Sequence, residues 1–220
     1  MSPAGRSDAG GVRARLFVAV SLPVEVSAEL ARWARTALGA VGAVSGGPVG
    51  GARRLAPEAL HITLCFLGEQ PLACVDELAG VLSAAAEPVA AVGELAIGAP
   101  VFLPPRQPRV LAVEVGDPDG GLGRLRSLLV REITATIDWA PGRERFRPHV
   151  TVARMRAGLG GRRGRFGGKS AEHVARNEML ASGFPPTPQL SFVADKVVLL
   201  RSHLEPDGAR YEALASVGGW

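Results

Sequence analysis

Cysteine is nearly absent. Cys65 and Cys74 are the only two in 220 residues, which leaves no disulfide framework and suits a reducing compartment. No run of eighteen or more uninterrupted apolar residues occurs, so the sequence offers no helical membrane span. The first fourteen residues are rich in Gly, Ala, Ser and Arg and lack the apolar centre of a secretory signal; residues 1–14 read as a disordered lead-in, and a cytoplasmic location is expected. Aromatic residues make up 5% of the chain, so an exposed one would be informative. Lysine is almost missing too: Lys169 and Lys196 stand among 25 basic residues. The net charge of +4 and pI near 9.8 lean toward anionic partners. An arginine-rich skew alongside much Ala, Gly, Val and Pro also follows from G+C-rich coding, so the charge is compatible with RNA or phosphate without establishing either.

Histidine is scarce as well, with four residues, and half of them fall in a repeated tetrapeptide. His61-Ile62-Thr63-Leu64 and His149-Val150-Thr151-Val152 both read His-apolar-Thr-apolar. Each sits in a strand-like apolar run. Residues two apart in a strand share a face, so each copy presents an imidazole beside a hydroxyl. A lone histidine in a strand is more often a satisfied core or edge residue; two copies with the same neighbours reverse those odds.

The remaining pattern is that of a soluble globular protein, 47% hydrophobic and 21% charged. Strands are predicted at Arg15–Leu22, Leu60–Leu67 (closed by Gly68), Val89–Ile97, Arg109–Val115, Phe146–Arg154 and Leu190–Leu200, with a short one at Arg210–Leu214. Helices are predicted from Val24 to about Ala40, Leu72 to Ala86, and Leu122 to Ile137. Gly39–Gly51 and Pro100–Pro108 read as loops. Strand, helix, motif strand thus occurs twice. An α/β (α+β) fold follows, with two related lobes of sheet flanked by helices and a central cleft to which each lobe contributes one motif. Residues 15–220 form one bilobal domain in this reading. Gly158 to Lys169 contains Arg162, Arg163 and Arg165 among glycines, and reads either as a solvated loop or as a flexible basic flap that gathers phosphodiester backbone.

Histidine exchanges protons near neutrality. One imidazole can take a proton from a nucleophile while the other gives one to a leaving oxygen, each role bringing about 10²–10⁴ in rate. Threonine hydroxyls are suited to non-bridging phosphoryl oxygens. Such a site needs neither metal nor covalent intermediate, and suits a phosphodiester, especially a strained cyclic one. A metal is the rival: regular alternation would put Cys65 on the face of His61 and Thr63, making a His/His/Cys set with His149 imaginable. No carboxylate or further histidine stands at ligand spacing, and Cys65 is more simply a small buried residue.

The paired motifs resemble the signature of the two-histidine (2H) phosphoesterase superfamily. Arg15-Leu16-Phe17-Val18-Ala19-Val20-Ser21-Leu22-Pro23 resembles its opening strand. Phe66-Leu67-Gly68-Glu69 after the first motif, Arg147-Pro148 before the second, Ala153-Arg154 after it, and Leu200-Arg201-Ser202 with Tyr211-Glu212 near the end narrow the likeness to the RNA 2′,3′-cyclic phosphodiesterases, historically called 2′-5′ RNA ligases. This resemblance implies a bilobal fold and metal-free, cofactor-free opening of a 2′,3′-cyclic phosphate to a 2′-phosphate, on an RNA end or a cyclic nucleotide; separately, a monomer is expected. It implies His61 and His149 as the catalytic pair, here expected as acid and base respectively. Thr63, Thr151 and Arg154 would hold phosphate, although a regular strand would put Arg154 on the face away from His149, so that a bulge or strand end is needed. Phe17 and Tyr211 are candidates for contact to a base, although core packing is the commoner fate of a phenylalanine in an apolar strand and the polar tip of Tyr211 better suits a site edge. Two departures stand out: Ala112 where a Trp is expected, and a long basic segment after the second motif. ATP-independent 2′-5′ joining of tRNA halves, the same chemistry reversed, and a non-catalytic RNA-end-binding module remain as alternatives.

Overall fold

The two strands that carry the His-x-Thr motifs meet at the centre of one antiparallel sheet. The computed structural model describes residues 11–45, 52–104, 109–155, 183–205 and 208–219. Its strands are β1 (Arg13–Ser21), β2 (Arg53–Arg54), β3 (His61–Pro71), β4 (Glu94–Leu103), β5 (Val110–Gly116), β6 (His149–Arg154), β7 (Ser191–Val193), β8 (Lys196–Glu205) and β9 (Gly208–Gly218). Its helices are α1 (Val24–Ser45), α2 (Val75–Ser83), α3 (Ala86–Ala90) and α4 (Gly121–Thr136). The strand order is β7-β4-β5-β6-β3-β1-β8-β9, with β2 paired to β6.

That order is two halves back to back. β3, β1, β8 and β9 make one, and β6, β5, β4 and β7 the other, joined through the pair Ile62↔Val150. In each half the motif strand is antiparallel to the strand one helix earlier in the chain, β3 to β1 and β6 to β5. The expected bilobal α+β architecture is therefore the observed one. Helices cover the back, and the halves exchange them: α1 follows β1 but packs on β6 and β2, whereas α4 follows β5 but packs on β3. Leu16, Val18, Val20, Ile62, Val150 and Val152 face this helical layer in one continuous apolar core.

The sheet curls. Arg154 on β6 donates from Nη2 to the Tyr211 hydroxyl on β9 at 2.9 Å. Those strands are four steps apart in the sheet order, or ~19 Å in a flat sheet at about 4.8 Å per strand. Curvature brings β9 over the motif strands and makes the cleft.

Several boundaries differ from the sequence expectation. β1 begins at Arg13, two residues early. α1 runs on through Gly39 to Ser45; at about 1 kcal/mol per helical glycine, a long helix whose other residues are mostly good helix formers absorbs the cost. β3 passes Gly68 and continues to Pro71, because Gly68 takes φ 73° where the β1–β3 register slips. The strand predicted at Val89–Ile97 divides into α3 and β4. β4 includes Pro100, which the sequence placed in a loop: β7 pairs only with Glu94–Ala96, so beyond that point β4 is an edge strand that tolerates proline. The single strand predicted at Leu190–Leu200 is two, β7 and β8, and β9 is longer than Arg210–Leu214. The lead-in before residue 11 and the basic segment at 158–169 lie outside the described residues.

Candidate active site

The two motif strands carry the same irregularity at the same place. Along β3 the β1 partners step from Ala19↔Thr63 to Val18↔Cys65, leaving Leu64 as an extra residue. Along β6 the β5 partners step from Ala112↔Thr151 to Leu111↔Ala153, leaving Val152 extra. Each extra residue is a β-bulge three positions after the histidine. Burial repeats accordingly: His61, Thr63, His149 and Thr151 are half-buried, Leu64-Cys65 and Val152-Ala153 are buried doublets, and Phe66 and Arg154 are exposed. The bulge moves Phe66 and Arg154 onto the histidine face. Arg154 thus reaches the site by the bulge that its position demands.

The pair Ile62↔Val150 sets the geometry of the quartet. In an antiparallel register centred on that pair, His61 stands across from Thr151 and Thr63 across from His149. Ile62 and Val150 point into the core behind them, 1% and 0% exposed. Both rings are held alike. Nδ1 of His61 lies 2.9 Å from the Ala59 carbonyl, and Nδ1 of His149 lies 2.7 Å from the Arg147 carbonyl. A carbonyl only accepts, so each Nδ1 donates and each Nε2 is left for proton exchange.

The surroundings of the two histidines differ. The His61 ring lies 5.0 Å from Phe17 and 5.2 Å from Tyr211, centre to centre. Burial is the main cause that pushes its pKa down to about 4; the hydrogen bond to Ala59 opposes this, and the charges of Arg154 and His149 add to it. Tyr211 is half-buried, holds Arg154, and meets both Phe17 and His61 edge-on. Phe17, a candidate base contact with core packing as the commoner alternative, takes that alternative: it is 2% exposed and packed beneath His61, Tyr211 and Phe66. The exposed aromatic at the site is instead Phe66, 51% exposed, with its ring stacked 6.1 Å from Phe17 and the Arg15 guanidinium 4.9 Å above it. The Trp139 indole donates to the Phe66 carbonyl at 3.0 Å and pins that position. Sequence reasoning passed over Phe66 and Arg15, although the doublet Leu64-Cys65, which breaks the alternation, marks the turn of Phe66 to the cleft.

The same bulge removes the thiol from the metal rival. Cys65 is buried on the helix side near Arg126, and burial raises its pKa to about 11, so it does not share a face with His61. Among the described residues, no three His, Cys, Asp or Glu side chains gather closely enough to hold a metal ion. Ala112, where a Trp was expected, is fully buried beside Thr151. His203, outside the motifs, is paired with Glu212 at 2.6 Å.

A depressed histidine pKa makes stability fall in acid. Between pH 6.5 and about 4 the unfolded chain binds a proton at residue 61 that the folded chain refuses, so stability declines as pH drops through that window. The full effect is roughly 3 kcal/mol at 1.36 kcal/mol per pKa unit. Denaturant titrations at pH 7 and pH 4 are expected to show a wild-type loss larger than that of His61→Gln by about this amount; equal losses would contradict the buried, neutral imidazole.

Residues 22–160, more than half of the chain, match the model of the 2′-5′ RNA ligase superfamily. Over 99 residues the chain is 34% identical to an RNA 2′,3′-cyclic phosphodiesterase of Aeropyrum pernix. That match spans 45% of this chain and only 54%, about half, of that relative. Among solved structures, TT0787 of Thermus thermophilus superposes with a TM-score of 0.65 at 24% identity, over 93% of this chain and 97% of that one. LigT of E. coli complexed with 3′-AMP gives 0.64 at 19% identity, over 94% and 98%. At these identities the two structures support the fold alone. No helix among the described residues is long and apolar enough to cross a membrane.

Proposed function

This chain belongs to the 2′-5′ RNA ligase superfamily, and from that premise we propose that it hydrolyses 2′,3′-cyclic phosphate ends of RNA, or cyclic nucleotides, to 2′-phosphates by metal-free acid–base catalysis. The observation that carries this reading is the pairing of two His/Thr strands with matching bulges and matching Nδ1 carbonyl contacts about Ile62↔Val150. In the reaction, water attacks phosphorus as the P–O3′ bond breaks. One Nε2 takes the water proton and the other delivers a proton to O3′, leaving a 3′-hydroxyl and a 2′-phosphate. Thr63, Thr151 and Arg154 stabilise the charge that collects on the non-bridging oxygens. Phe66, rather than Phe17, is the exposed aromatic at the site, and a base stacked on it would take the place that the Arg15 guanidinium now holds over the ring.

Burial bears on how the roles divide. With its pKa pushed down to about 4 in the free protein, His61 starts neutral at working pH, which suits a base and leaves His149 as the acid, the opposite of the assignment expected from the sequence. The leaving group tests it. p-Nitrophenolate departs without a proton, so on a p-nitrophenyl phosphodiester His149→Ala is expected to lose about tenfold or less, against about 10²–10⁴ on a cyclic phosphate, while His61→Ala loses heavily on both. The opposite pattern would make His61 the acid.

A further inference from the structure

Beyond the His149 end of the quartet lies an open pocket of about 590 Å³ whose walls include Gly98, Glu114, Arg145, Phe146, Arg147 and Pro148. It adjoins the site directly. Pro148 immediately precedes His149, and Glu114 is the residue paired across from His149 in β5. Two arginines and one glutamate line the pocket. Arg147 is held by Glu114 at 3.1 Å, whereas Arg145, which is exposed, makes no ion pair among the described residues. Gly98 keeps the wall open, since a Cβ there would stand 3.3 Å from the Glu114 Cβ. Arg147 lies two residues from His149, about 7 Å along extended chain at 3.3–3.4 Å per residue; that is of the order of one nucleotide step.

We propose that this pocket binds the backbone phosphate immediately upstream of the reacting end, so that the preferred substrate is an RNA strand and not a free cyclic mononucleotide. The inference rests on the hydrolase reading for the identity of the neighbouring site. The chemistry is anion recognition by arginine: Arg145 supplies the unneutralised charge, and Arg147 turns from Glu114 to a phosphate oxygen when the strand is seated. Phe66, on β3 and outside this lining, leaves the terminal base a separate place. Glu114 opposes the phosphate and sets how tightly it is held.

Binding tests the proposal without turnover. Wild type, Arg145→Ala and Glu114→Gln are titrated with a tetranucleotide ending in a 2′-phosphate and with the 2′-mononucleotide, at several salt concentrations. Wild type is expected to bind the tetranucleotide at least tenfold more tightly. Arg145→Ala erases most of that advantage, flattens the salt dependence by roughly 0.7 in log–log slope, the value for one lost single-strand phosphate contact, and leaves the mononucleotide unchanged. Glu114→Gln moves the tetranucleotide the other way, toward tighter binding. Equal affinity of wild type for the two ligands would overturn the proposal, as would equal losses on both ligands in Arg145→Ala. Failure of the wild type to hydrolyse cyclic phosphates would count against the hydrolase reading and leave these binding outcomes intact.

Discussion

Replacing either His61 or His149 with alanine is expected to lower kcat on a 2′,3′-cyclic phosphate by about 10²–10⁴-fold. Each ring has its Nδ1 committed to a carbonyl, so each has one nitrogen for proton transfer and no described neighbour that could substitute. Residues that act as a unit are not additive; the double variant should be little worse than the more damaged single one. His61 is walled by Phe17 and Tyr211, and loss of its ring leaves a hollow, so His61→Gln serves beside alanine to keep the packing. Steady-state kinetics with melting curves reads both effects. A single variant with undiminished turnover would show that the pair does not share the chemistry.

Thr63→Val and Thr151→Val are each expected to lower kcat by about 10²–10³, the range for removing one donor from a developing oxyanion. The substitution keeps the shape and removes the hydroxyl. Both threonines sit in strands whose neighbours, Ile62, Leu64, Val150 and Val152, are buried, so strand-favouring valine preserves the local fold. The loss should fall on kcat more than on KM, because the diester's non-bridging oxygens already carry one negative charge in the ground state and gain further charge in the transition state. A rise in KM with kcat intact would make them ground-state binding groups.

The fold class and the pairing of the motifs follow from local pattern. Alternation puts His61 with Thr63 and His149 with Thr151 on one face, and the repeat of strand, helix, motif strand reappears as β1–α1–β3 and β5–α4–β6. What alternation alone misreads begins at the bulges. A strict period of two places Cys65 with His61 and sends Arg154 away; the extra residues Leu64 and Val152 reverse both placements. The apolar doublets Leu64-Cys65 and Val152-Ala153 carry that signal, since two buried residues in succession cannot fit a regular half-buried strand. The contact of Arg154 with Tyr211 depends on sheet curvature, which arises from twist and bulging over many strands and from no single segment. The burial of Phe17 and the exposure of Phe66 depend on the same curl. So does the depressed pKa of His61, whose walls come from β1 and β9.

The most direct test is chemical. The purified protein is incubated with a 2′,3′-cyclic nucleotide in excess chelator, and the position of phosphate in the product is identified. The expected result is the 2′-phosphate, formed at the rate seen without chelator. A 3′-phosphate product would reverse the leaving-group assignment, and loss of turnover in chelator would contradict metal-free catalysis by the two histidines.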